Sequence, residues 1–100
     1  MIRFEWDSEK NRRILLKHGV SFEEAALAFH DPLMVSFPER IMDGEERWQP
    51  FGMVNGKMLT MVAHTLRHQT EHGALIEVVR IISARSATSR ERRMYETGEL

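Results

Sequence analysis

One hundred residues with 14 basic and 15 acidic side chains, net charge −1, point to one domain with no overall electrostatic pull toward nucleic acid. The absence of cysteine excludes a disulfide framework and a thiolate metal site. MIRFEWD lacks a signal-peptide pattern and no apolar run is long enough to span a bilayer, so a soluble cytoplasmic protein is expected, residues 1–100 forming a single domain.

In chain order, Ile2 to Trp6 alternates as a short strand with Ile2, Phe4 and Trp6 on one face. Asp7 or Ser8 caps a helix that has Ile14 and Leu15 on its buried side, Lys17 and His18 in its last turn and Gly19 as its stop. Ser21-Phe22-Glu23-Glu24 is a capping box, and the second helix buries Phe22, Ala25, Ala26 and Phe29 before Asp31-Pro32 ends it. Leu33 to Phe37 reads as a second strand and Glu39 to Arg47 as a loop. Arg47 to Val54 reads as a third strand, with Pro50 marking an edge or a bulge.

Asn55-Gly56 is a two-residue hairpin signal. Lys57 to Leu66 forms the fourth strand, and Arg67 to Gly73 reads as a polar loop. The β-branched run Ile76 to Ile82 suits a central strand, and Thr88 or Ser89 caps a final helix. The total charge hides an asymmetry: residues 1–50 carry seven basic and ten acidic groups, residues 51–100 seven and five. Five arginines between Arg80 and Arg93 face one acid, Glu91, so any RNA contact should be local.

Pairing Val54 with Lys57 across the turn sets Arg47 opposite His64. Placing Val62 opposite Arg80 across the next hairpin, whose loop is longer, brings Arg47, His64 and Arg80 onto one face, away from the helices. A one-residue slip would undo this. Arg80 could instead pair with Glu77 or Glu46, and His64 could satisfy a backbone carbonyl. His64, His68 and His72, four apart in a polar loop, raise a metal-hydrolase alternative. Cations with a histidine suit RNA cleavage without a metal, in which the ribose 2′-OH attacks its neighbouring phosphate.

FEWD at 4–7, KHGVSFEEAA at 17–26, FHDP at 29–32, DGEERW at 43–48, RIISAR at 80–85 and RERRMYE at 90–96 resemble the BrnT family, toxins of bacterial type II toxin–antitoxin modules. The resemblance implies an α+β, RelE-like fold: an antiparallel sheet with two N-terminal helices on one face and a C-terminal helix. It implies an mRNA-cleaving toxin that blocks translation, is held inactive in a hetero-oligomer with a BrnA-type antitoxin, and meets DNA only through that antitoxin. No cofactor or metal is expected.

Within the matching motifs, chemistry selects Arg80 and Arg85 as phosphate ligands and Arg47 and Glu46 next, Glu46 as an alternative base; His64, outside those motifs, is the candidate acid or base. Lys17, His18, Arg90 and Arg93 are candidate RNA contacts. The rival function is a non-catalytic module that binds a DNA-binding partner for transcriptional autoregulation.

Overall fold

The computed structural model describes the backbone of residues 1–35, 38–42 and 45–98, and the side chains of residues 1–35 and 48–98. Strand β1 (Ile2–Glu5) leads into helix α1 (Ser8–His18), where the Asp7 carboxylate accepts from the Lys10 N–H at 3.0 Å. That bond satisfies one orphan donor of the first turn. Gly19 ends the helix at φ 75°, a left-handed conformation that costs glycine little.

Helix α2 (Phe22–Ala26) carries the complete Ser21–Glu24 capping box and runs on as a 3₁₀ turn, Leu27–His30. Asn11 locks the two helices together, accepting from the Phe22 N–H at 2.8 Å and donating to Glu23 at 2.6 Å. Phe22 and Ala25 are fully buried, whereas Leu15, expected on the buried side of α1, is 43% exposed. Ile14 alone of that pair packs on the core.

The sheet runs β1-β6-β5-β3-β2, with β4 paired to β5 beyond β3. Its members are β2 (Pro38–Met42), β3 (Glu45–Trp48), β4 (Phe51–Val54), β5 (Met58–Glu71) and β6 (Ala74–Ser86), and helix α3 (Ser89–Thr97) follows. All these pairings are antiparallel except β1–β6, which is parallel.

Two expected loops are therefore strands. Part of Glu39–Arg47 forms the β2–β3 hairpin, and Arg67–Gly73 extends β5 to a tight turn at His72-Gly73. Both turn residues have positive φ (50° and 80°), the geometry that matches the twist of a two-residue hairpin. The second strand does not start at Leu33: Val35 makes an isolated bridge to Phe51, and residues 36–37 lie outside the described residues. The third strand is broken at Gln49-Pro50, as the proline foreshadowed.

Asn55 and Gly56 take the expected positive φ, and the Lys57 N–H donates to the Val54 carbonyl at 3.1 Å. Yet Val54 pairs with Met58, not Lys57. Lys57 is an extra residue on the β5 side, and the offset carries through Phe51↔Met61 and Trp48↔His64. A second irregularity between Ala63 and His64 shifts the β5–β6 pairing again.

These registers sort the side chains. On the helix side, Val62, Val79, Ile81 and Ala84 meet Phe22, Ala25 and Ala28. On the other side, Phe51, Leu59, Met61 and Ala63 pack under Met94 and Tyr95 of α3. A Cβ at Gly52 would lie 2.5 Å from the Ala28 carbonyl oxygen, so the strand and the 3₁₀ turn meet through glycine's missing side chain. Gly52→Ala is expected to destabilise the fold by about 1–3 kcal/mol, read as a drop of several degrees or more in melting temperature.

Candidate functional site: an arginine–carboxylate row on the open face

Along β1, Phe4 points into the helix-side core, so Arg3 and Glu5 lie on the opposite face. Part of that face is left open by α3. Glu5 is in register with Arg80, Arg80 with Thr65, and Thr65 with Arg47, a row crossing four strands. One step along, Arg3 and Arg67 both flank Val78.

Arg67 forks onto the Glu5 carboxylate with bonds of 2.5 and 3.1 Å, while Arg80 reaches the same carboxylate at 3.5 Å. Arg3 donates to Glu71 at 2.7 Å, and Gln69 holds the other Glu71 oxygen at 3.0 Å. The Arg67 hydrogen bond, with Arg80 adding to it, holds the Glu5 carboxyl below its usual range against the opposing effect of burial. Glu5 is therefore ionised at neutral pH, and Arg80 keeps a long contact and a side chain 46% exposed.

The arginines predicted from sequence divide. Arg80 lies in this row. Arg85 shares the face but sits five residues on, ~17 Å along the strand, where it forks onto Glu91 at 2.7 and 2.9 Å. Glu91 also accepts from the Thr88 N–H in the α3 capping box, so Arg85 ties the helix start to β6. At the far end of the helix, the Tyr95 hydroxyl donates to Asp31 at 2.6 Å, which pushes the phenol up to about 12. Arg90 and Arg93 are exposed on α3, and Lys17 and His18 are exposed at the end of α1 on the other side of the sheet.

His64 does not join Arg80. It pairs with Ile81, on the helix side, and is 5% exposed. Its ring meets Phe29 edge-on at 4.9 Å, and Nδ1 donates to the Val62 carbonyl at 3.1 Å. Burial pushes its pKa down, more than the Val62 bond and Glu77 raise it, which favours the neutral ring. The expected convergence of Arg47, His64 and Arg80 therefore does not form: the bulged Lys57 sets Arg47 opposite Thr65 rather than His64, and the tight His72-Gly73 hairpin sets Arg80 opposite Thr65 rather than Val62. Arg47 holds a register position in the row, but its side chain and that of Glu46 lie outside the described residues. His64 and His68 stand on an extended strand, ~13 Å apart by its rise, and no group of three metal-binding side chains occurs among the described residues.

Sequence reasoning passed over Glu5 and Arg67. The alternation that put Ile2 and Phe4 on the helix side also put Arg3 and Glu5 on the open one, and that was the available signal. Arg67 was hidden by reading its strand as a loop.

A search of curated proteins finds no match. Residues 6–91 match the model of a family described as "Ribonuclease toxin, BrnT, of type II toxin-antitoxin system". The chain belongs to the BrnT family. Among solved structures, the Brucella abortus ribonuclease toxin BrnT matches with a TM-score of 0.62 and 23% identity, over 89% of this chain and 100% of that one. That likeness shows a shared fold. The α+β architecture of a BrnT toxin, RelE-like with its N-terminal helices against the sheet, is thus the architecture of this chain.

Proposed function

We propose that this BrnT-family chain is an endoribonuclease toxin that cleaves mRNA on the open face of its sheet and so blocks translation. The observation that carries the reading is the Arg80 guanidinium, exposed and 3.5 Å from a carboxylate that Arg67 already neutralises through two shorter bonds. A phosphate can take over Arg80 without leaving Glu5 unpaired. Arg80 then binds a non-bridging oxygen while Arg67 stays on Glu5, and Arg47, at the next register position, is proposed as a further ligand.

In the reaction proposed, the 2′-oxygen forms a bond to phosphorus and the P–O5′ bond breaks. The 2′-OH proton goes to Glu5, and the leaving oxygen takes a proton from water. The arginines stabilise the charge that builds on the phosphorane. Arg85 is assigned to holding α3, and Glu46 keeps its expected part as an alternative base. A BrnA-like antitoxin is the proposed neutralising partner, covering the arginine row and supplying the contact with DNA. The family's description as one half of a toxin–antitoxin system supports that pairing.

Expression alone in bacteria is expected to arrest growth, with co-expression of the cognate antitoxin restoring it. Purified chain should cut a defined RNA in the presence of chelator and leave 2′,3′-cyclic phosphate ends. Intact RNA alongside folded protein would overturn the proposal and favour the binding-module function instead.

A further inference from the structure

The helix side of the sheet carries a cavity of about 270 Å³ that the proposed reaction does not use. Three aromatic residues line it, Phe29 from the 3₁₀ turn, Trp48 from β3 and His64 from β5, together with Leu66, Val79 and Glu77. Glu77 stands in register with Ile2 on one side and His68 on the other, and its side chain has no hydrogen bond or ion pair among the described residues. The indole Nε1 of Trp48, on the same wall, is buried without an acceptor among those residues.

A carboxylate beside a ring-lined cavity, with no partner among the described residues, is an attraction for one kind of ligand. Ring faces and a carboxylate both draw a cation. Among the described residues no Lys or Arg lines the cavity to compete, and the buried His64 ring favours its neutral form. The apolar positions, Leu66 and Val79, suit an aliphatic stem. A guanidinium answers the ring faces, the carboxylate and the apolar positions best, because it stacks on aromatic faces, forks onto a carboxylate and is more weakly hydrated than an ammonium; with donors only, it does not serve the Trp48 N–H. A nucleic acid fits poorly, since its phosphates would meet Glu77.

We propose that this cavity is a socket for an arginine side chain presented by a partner protein. It lies on the opposite side of the sheet from the arginine row and does not depend on the ribonuclease reading.

The test titrates isotope-labelled full-length chain with n-butylguanidinium, following the indole N–H signals of Trp48 and Trp6 by NMR. Saturable movement of the Trp48 signal is expected, with Trp6 unmoved. Glu77→Gln, with an otherwise superimposable spectrum, should weaken binding by about tenfold or more. It should leave RNA cleavage at the wild-type rate, which separates failure here from failure of the ribonuclease proposal. No saturable shift, equal binding by the Gln variant, or equal binding of neutral n-butanol would overturn the socket. Tighter binding of n-butylammonium would overturn the arginine assignment. A Trp48 shift with an RNA oligonucleotide would overturn the choice of a protein partner, and so would self-association abolished by Glu77→Gln, which would make the occupant a second copy.

Discussion

Arg80→Ala is expected to slow RNA cleavage about a hundredfold, the loss of roughly 3 kcal/mol of transition-state stabilisation from one well-placed cation. The melting temperature should hardly move. Arg80 is exposed and its ion pair with Glu5 is long, while Arg67 keeps that carboxylate neutralised, so the change in stability should stay within about 0.5 kcal/mol. Arg80→Lys keeps the charge but not the planar fork, and should recover part of the rate.

Arg85→Ala provides the contrast. Its guanidinium is committed to Glu91 at the start of α3, so removal should loosen that helix and lower the melting temperature. Single-turnover cleavage of a defined RNA, measured beside thermal melts, reads both effects. Wild-type cutting by folded Arg80→Ala would show that the open face is not the site.

What sequence could reveal was what local chemistry decides. Gly19 and the Ser21–Glu24 box act within a few residues of themselves and sit where the sequence placed them, and Asp7 and Thr88 are each one of the two caps the sequence offered. The site depended on longer-range facts. A single bulged residue, Lys57, is invisible in composition, yet it carries every side chain of β5 to the other face relative to β4. The polar run at Arg67–Glu71 looked like a loop because strands that project past their neighbours need no apolar face there. His72-Gly73 supplied a turn as good as Asn55-Gly56, but histidine is a weaker signal than asparagine for positive φ. Arg80 was found because an arginine in a β-branched run is conspicuous. Its neighbours Glu5 and Arg67, 75 and 13 residues away in sequence, became visible only through the parallel β1–β6 pairing and the long β5–β6 hairpin.

Glu5→Gln is expected to move chemistry and binding in opposite directions. Glutamine keeps an oxygen for Arg67 to bond but cannot take the 2′-OH proton, so the cleavage step should slow by about 10²–10³-fold. RNA binding should tighten, because the substitution removes a negative charge beside the phosphate. A residue acting merely as a counter-ion would show the tighter binding without the slower step.

The pH profile adds an independent check. Arg67 and Arg80 hold the Glu5 carboxyl below its ordinary value, so the base is already ionised throughout the neutral range. The wild-type rate should be flat from about pH 5.5 to 8 and fall only as acid protonates Glu5, below the ordinary glutamate value of about 4.3. The same lowered pKa stabilises the fold above that range and is lost as pH falls through it. Tryptophan fluorescence must therefore confirm folded protein at each acid point. A histidine base would instead give a midpoint near pH 6.5. Buried His64 lies on the other side of the sheet, and its pKa is lowered further. A midpoint between the ordinary histidine and glutamate values that disappears in His64→Gln would return the proton transfer to that histidine and remove it from Glu5.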